Sequence, residues 1–115
     1  HQGFVALIGQ IQFAELESII ELEKQQLFLL LDGITDVRNF GAIIRSAVGL
    51  GASGIIIGQT GSAPLNEVAI QASAGGAFHI PIVRVSHLKD AMYLLKSYEI
   101  ALVGCTEKAA SLVSG

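Results

Sequence analysis

The chain has 115 residues, 51% of them apolar, which is enough for one compact domain and too few for two. Its 7 Lys and Arg against 10 Asp and Glu give a net charge of −3, which excludes nucleic-acid binding by bulk positive charge alone. The single cysteine excludes an intramolecular disulfide, and no apolar run reaches the roughly 18 residues that span a membrane. We therefore expect a cytoplasmic protein that makes no use of a membrane.

The N-terminal part predicts one helix and leaves one segment open. Residues Phe13 to Leu22 (FAELESIIEL) have the spacing of an amphipathic helix. The preceding FVALI, Phe4 to Ile8, is compatible with a strand or with an extended lead-in. The chain opens on His1 without a Met and stops at Gly115 after a strand-like segment, so we expect a fragment.

Four short apolar runs predict strands that are buried on both faces of a parallel sheet. The runs are Leu27 to Leu31, Gly54 to Gly58, Ile80 to Val85 and Ile100 to Cys105. Helical patterns lie between them, at Asn39 to Leu50, Leu65 to Ser73 and Leu88 to Tyr98. The alternation predicts an α/β fold with a Rossmann-like, mainly parallel sheet and flanking helices.

The stretch GLGASG, Gly49 to Gly54, spells the G-x-G-x-x-G dinucleotide fingerprint in the wrong context. That fingerprint must leave a strand and open a helix, whereas this one ends a helix and leads into a strand. Gly49 or Gly51 is better interpreted as a helix C-cap, and Gly54 as a strand entry. A Rossmann-type nucleotide site is therefore disfavoured.

The polar loop between the first strand and the most regular helix is the leading candidate for chemistry, because ligands of open α/β sheets bind beyond strand carboxyl ends. Asp36 or Asn39 can cap that helix. Arg45 lies about 140° around the helix from Phe40, outside the apolar face, and can reach back toward Asn39. The pattern alone leaves open a solvated surface arginine.

Other polar positions have simpler interpretations. His79 and His87 are expected in turn or capping roles, and Asn66 at a helix start. Cys105 follows an apolar strand and is expected to be a small core residue, and no His stands at metal-ligand spacing from it, so no metal site is expected. The run Ser73 to Gly76 is compatible with an anion nest but is more simply a helix stop.

Longer stretches of the sequence resemble a known family. LDGITDVRNFGAIIRSAVGLGASGIIIG resembles the first motif of the SpoU (TrmH) group of SPOUT RNA methyltransferases. The similarity continues through SAPLNEVAIQASAGGAFHIPIVRVSHL and IALVGCTEKA, and the opening HQGFVA is similar to the start of the catalytic domain in enzymes that methylate a guanosine ribose of 23S rRNA.

The resemblance implies 2′-O-methylation of an RNA ribose, with rRNA as the expected partner and S-adenosylmethionine as the methyl donor, in a homodimer whose domain ends in a trefoil knot. Asn39 and Arg45 match the family's functional pair, the Arg assigned to activating the 2′-hydroxyl and the Asn to positioning it. An ordinary guanidinium is a poor base, so Arg45 could instead stabilise the developing alkoxide.

The sequence also departs from the family pattern. Where the family commonly has Asp-Pro-His-Asn, this chain has Asp36-Val37-Arg38-Asn39, and the extra Arg38 is a candidate RNA-phosphate contact beside the alternative of a solvated loop residue. The family's second and third motifs, which form most of the cofactor pocket, are expected beyond Gly115. Only Gly104, Cys105 and Thr106 are expected to border that pocket.

Residues 1–115 are thus predicted to be the pre-knot part of one SpoU-type catalytic domain that is inactive by itself. The alternative is a non-catalytic RNA-binding or dimerisation module of the same fold.

Overall fold

The protein is built on a parallel sheet to which each of the four apolar runs contributes a strand. A computed structural model describes residues 11–107. Within this range the strands are β1 (Leu27–Asp32), β2 (Gly54–Gly58), β3 (Ile82–Val85) and β4 (Ala101–Thr106). Their order is β3-β2-β1-β4, and each neighbouring pair is parallel. The predicted α/β fold is confirmed, while the FVALI segment lies outside the described residues.

Helices cover both faces of this sheet. They are α1 (Leu16–Ile19), α2 (Val37–Gly49), α3 (Glu67–Ala72) and α4 (Leu88–Ser97), with a 3-10 turn at Gly76–Phe78. The large core lies between the sheet and α2, α3 and the 3-10 turn, with Phe40, Ile44 and Ile70 among its buried residues. The small core lies on the other face, where Leu16 of α1 and Leu95 of α4 pack against Phe28, Ile56 and Val83.

The strand order contains one reversal of direction. The chain moves from β1 to β2 to β3, and then returns past β1 to place β4 on the far side. Since parallel crossovers are right-handed, the reversal puts α4 on the face opposite to α2 and α3. The strand order therefore reverses between β1 and β4, and open α/β sheets bind ligands beyond the carboxyl ends of the strands at such a topological switch point.

Helices α2 and α3 approach each other closely at Gly41. A Cβ atom at this position would collide with the Cβ of Ala72 and would lie 2.5 Å from the carbonyl oxygen of Ala69. Only glycine fits there without moving a backbone. The close approach fixes α2, and with it Asn39 and Arg45, against the rest of the large core.

The predicted helix over Phe13 to Leu22 is wrong in extent, because the structure has helix only over Leu16–Ile19. Its first residues are extended instead. Ala14 forms an isolated bridge with Val83, and the amide of Ala14 donates to the carbonyl of Ile82 at 2.9 Å. Residues that local periodicity assigns to a helix thus lie extended along β3 instead.

The other boundaries agree with the prediction to within two residues. The third strand begins at Ile82 rather than Ile80, since Pro81 has no N–H to donate to the sheet. GLGASG ends α2 as predicted: Gly51 has φ +74° and donates to the carbonyl of Val48 at 3.1 Å, while Ala52 donates to Ala47 at 2.9 Å. These two bonds form a Schellman motif, which needs a left-handed residue at Gly51.

Candidate functional site

The loop between β1 and α2 is held in place by its own side chains and by its neighbours. Asp36 is the N-cap of α2, and its carboxylate accepts from the amides of Arg38 at 2.8 Å and Asn39 at 3.0 Å. The carbonyl of buried Ile34 accepts from the amide of Ala63 at 2.7 Å. The sequence left the cap open between Asp36 and Asn39, and the structure assigns it to Asp36.

Asn39 therefore lies inside α2, and its side chain is available for other contacts. Arg38 and Arg45 are exposed on the same helix. They are seven residues apart, which brings them to within about 20° of each other around the helix axis. Neither guanidinium has an ion pair or side-chain hydrogen bond with another described residue. This stripe of α2 thus presents two positive charges to solvent.

Asn39 and Arg45 belong to different flanks of α2. Six residues separate them, which corresponds to about 120° of rotation and about 9 Å of rise. Arg45 lies on the flank beside the 3-10 turn, where a Cβ built on Gly76 would be 3.7 Å from its Cα. Within residues 11–107 the two side chains form no hydrogen bond with each other. A substrate that touches both must cross the exposed arc that carries Ala42 and Ser46.

The carboxyl end of β4 forms the other side of the switch point. Gly104 and Thr106 are exposed, and a Cβ at Gly104 would meet nothing within 4 Å. The expectation that Cys105 is a core residue is only partly met: it is half-buried and packs at the margin of the large core, since β4 is the outermost of the described strands. Burial raises the pKa of its thiol, which keeps the thiol protonated at neutral pH.

One contact joins the two sides of the switch point, and sequence reasoning missed it. The amide of Thr35 donates to the carboxylate of Glu107 at 3.3 Å, across 72 residues of sequence. A second contact ties the neighbouring strand ends, because the hydroxyl of Ser86 donates to the side-chain oxygen of Gln59 at 3.2 Å. Both acceptors directly follow strands, and that position was the available signal.

The remaining polar candidates are found in structural roles. Asn66 caps α3 by accepting from the amide of Ala69 at 3.0 Å. Buried Ser73 ends α3, and its hydroxyl bonds to the carbonyl of Ile70 and the amide of Ala77. His87 is the N-cap residue of α4 without a side-chain cap bond, and His79 follows the 3-10 turn.

Residues 11–107 contain neither a candidate metal centre nor a candidate membrane span. The described residues contain no group of three or more His, Cys, Asp or Glu side chains placed to hold a metal ion. None of the helices in this range is long and apolar enough to cross a membrane.

Known proteins resemble the chain over nearly its whole length. The sequence pattern of the SpoU rRNA Methylase family matches residues 26–114. The 23S rRNA (guanosine-2′-O-)-methyltransferase RlmB of Salmonella typhi is 36% identical over 112 residues, which cover 95% of this chain and 46% of that protein. RlmB of Escherichia coli (strain K12) has the same identity and coverage. The chain spans about half the length of these relatives.

Solved structures share the architecture. The SpoU methyltransferase AviRb from Streptomyces viridochromogenes matches with a TM-score of 0.64 at 30% identity, over 76% of this chain and 34% of that one. An AdoMet-bound rRNA methyltransferase from Sinorhizobium meliloti matches with a TM-score of 0.69 at 24% identity, over 85% and 46%, and this likeness shows the fold alone. Since the family pattern covers residues 26–114, this chain belongs to the SpoU rRNA Methylase family.

Proposed function

We propose that the complete protein carrying this chain transfers a methyl group from S-adenosylmethionine to the 2′-hydroxyl of a ribose in rRNA. The observation that carries the proposal is that the family match runs through the loop and helix that hold Asn39 and Arg45, beside the switch point. The names of the RlmB relatives support rRNA as the substrate. Residues 1–115 would then be part of a single catalytic domain.

Arg45 is the residue we assign to the reacting ribose. Its guanidinium is exposed and forms no ion pair with a described carboxylate, so its positive charge is available to the alkoxide that develops on the 2′-oxygen as the hydroxyl proton passes to water. The amide of Asn39, half-buried on the other flank of α2, would hold the ribose in position. Arg38 lies on the same exposed stripe of α2 as Arg45 and would bind a phosphate of the same RNA strand.

The carboxyl end of β4 fits one wall of a cofactor pocket. Gly104 has open space where a side chain would stand, and no other described strand pairs with the outer edge of β4. We assign Gly104, Cys105 and Thr106 to this wall. S-adenosylmethionine, when bound, supplies a methyl group activated by a sulfonium. Because burial raises the pKa of Cys105, its thiol contributes packing rather than a nucleophilic thiolate.

A cytoplasmic homodimer is the assembly we propose. Exposed apolar side chains support it, since Val48, Leu50 and Phe78 all reach solvent around the C-terminal half of α2 and the adjoining 3-10 turn. A second subunit would remove this surface from water. Sedimentation of the complete protein tests the proposal.

The alternative is a non-catalytic RNA-binding or dimerisation module of the same fold. The separation of Asn39 and Arg45 on α2 favours it, because within the described residues nothing brings the two side chains together. Under this alternative Arg38 and Arg45 would bind phosphates without any methyl transfer.

The test is Arg45→Ala in the complete protein, with Lys89→Ala on α4 as the control for losing one exposed charge. We expect methyl transfer to rRNA, followed with a radiolabelled methyl donor, to fall at least about 100-fold, as for the loss of a transition-state donor. Cofactor affinity measured by calorimetry should stay within about twofold, since the proposal assigns Arg45 to the ribose rather than to the cofactor. The Lys89→Ala variant should keep its activity.

Retained turnover in Arg45→Ala would return this residue to a solvated surface role. A complete wild-type protein that binds rRNA but transfers no methyl group would favour the non-catalytic module instead.

A further inference from the structure

The ends of β1 and β4 lie side by side, so the residues that follow them are neighbours in space. The pairing of Leu31 with Cys105 and of Asp32 with Thr106 continues to the last residue of both strands. The next residues, Gly33 and Glu107, therefore leave the sheet together at the switch point. Gly33 begins the candidate catalytic loop, and Glu107 directly follows the candidate cofactor wall.

Glu107 makes a direct contact with that loop. Its half-buried carboxylate accepts the backbone N–H of Thr35 at 3.3 Å. The bond is to the backbone, so it fixes the path of the chain rather than one side chain. A charged acceptor also strengthens a hydrogen bond to an amide.

Thr35 is the residue of the loop that has no other anchor among the described residues. Gly33 supplies the turn with φ +70°, Ile34 is buried with its carbonyl bonded to Ala63, and Asp36 caps α2. Within residues 11–107, the Thr35 amide is held only by Glu107. Thr35 directly precedes Asp36 in the chain. Displacement of Thr35 therefore also displaces the carboxylate that caps α2 by accepting the amides of Arg38 and Asn39.

We propose that Glu107 is a positioning residue, which holds the β1–α2 loop so that α2 begins in the place that Asn39 and Arg45 require. This inference rests on the proposed function for its kinetic consequence only. The link also couples the cofactor side of the switch point to the ribose side, because Glu107 directly follows Thr106. This hydrogen bond adds to the pairing of β1 with β4 a direct link from the end of β4 to the loop before α2.

Two alternatives make different demands on this side chain. If Glu107 were a solvated surface acid, its removal would change nothing in the loop. If it used its negative charge on a ligand, Glu107→Gln would fail as completely as Glu107→Ala. A positioning role needs only an acceptor oxygen, which glutamine keeps and alanine lacks.

The experiment compares Glu107→Ala, Glu107→Gln and the control Glu23→Ala in the complete protein. Glu23 is an exposed acid in the turn before β1, so its removal matches the change in charge. We expect Glu107→Ala to raise the exchange rate of the Thr35 amide, measured by NMR, by about three- to tenfold, as one ordinary hydrogen bond gives. It should lower kcat for methyl transfer by a similar factor, with the KM for S-adenosylmethionine unchanged.

Glu107→Gln should recover most of both losses, and Glu23→Ala should show neither. Unchanged Thr35 exchange in Glu107→Ala would overturn the proposal, and so would a Glu107→Gln variant as impaired as Glu107→Ala. If the wild-type protein transfers no methyl group, the proposed function fails while the exchange measurement still decides the role of Glu107.

Discussion

The two neighbours of β1 have similar apolar sequences and opposite environments. All five residues of β2 (GIIIG) are buried, whereas none of the six residues of β4 (ALVGCT) is. Both strands pair with β1 in parallel. Helices α2 and α3 and the small core enclose β2, while β4 lies at the edge of the sheet that residues 11–107 form. Position in the sheet, rather than composition, therefore decides which apolar strand becomes core.

This difference separates the part of the fold that supplies stability from the part that is available for chemistry. The β2 side contains the close contact between α2 and α3 and most of the large core. The β4 side contains the switch point, the open space beside Gly104 and the link from Glu107 to Thr35. The candidate site combines residues of α2 with the end of β4, so we expect it where the two sides meet.

Truncation of one side chain on each neighbouring strand gives the largest expected contrast. Ile56 of β2 is 0% exposed in the small core, and Val103 of β4 is 47% exposed. Ile56→Ala should lower the free energy of unfolding by about 2–5 kcal/mol, because it leaves a cavity among side chains that cannot close over it. Val103→Ala should cost less than about 1 kcal/mol. Urea unfolding of the two variants measures both values.

Equal losses in the two variants would break the comparison, because they would mean that β4 is covered as well as β2 is. If Val103→Ala also lowered the oligomeric state of the protein, a second subunit would be identified as the structure that covers β4.

Two glycines of α2 test the close packing on the β2 side, because their replacement by alanine should change the free energy of unfolding in opposite directions. Gly41→Ala adds a Cβ against Ala72 and the backbone of Ala69, so overpacking should lower the free energy of unfolding by about 1–3 kcal/mol despite a better helix propensity. Gly49→Ala adds a Cβ that meets nothing, and should raise it by about 0.5 kcal/mol through the same propensity. Thermal unfolding distinguishes the two signs.

A Gly41→Ala variant as stable as wild type would show that α3 moves away from α2 at little cost. Arg45 would then sit on a helix that is held less firmly than its contacts indicate.

Sequence patterns predicted the strands well, because an apolar run bounded by glycine or aspartate has few alternatives in a chain of this length. Gly54–Gly58 was predicted to the residue. The helix over Phe13 to Leu22 was predicted too long, because the bridge between Ala14 and Val83 is a long-range pairing that local periodicity does not contain. The apolar sequence of β4 could not show that the faces of this strand are partly exposed, since burial depends on the order of the strands in the sheet.

The location of the candidate site stays a prediction, whereas the structure tests part of its detail. The loop before α2 was found from the rule that ligands bind at strand ends, and the structure then assigned the cap to Asp36. The bond from Thr35 to Glu107 could not be predicted, because it depends on the register of β1 with β4. The roles of Asn39 and Arg45 remain predictions that rest on the family motif.

Cys105 provides the smallest expected effect and probes how far the β4 side is covered. Its thiol pKa is raised by partial burial, so its thiolate fraction at pH 8 should be below that of an ordinary cysteine. Alkylation by iodoacetamide should be several-fold slower than in the urea-unfolded protein, and should accelerate only above the ordinary thiol value of about 8.5. Since the folded state holds this proton more tightly than the unfolded state, the resulting stability is present below that value and is lost as the pH rises through the folded pKa. A reaction midpoint at or below the ordinary value would show instead that the margin of the large core is as open to water as the exposed face of β4.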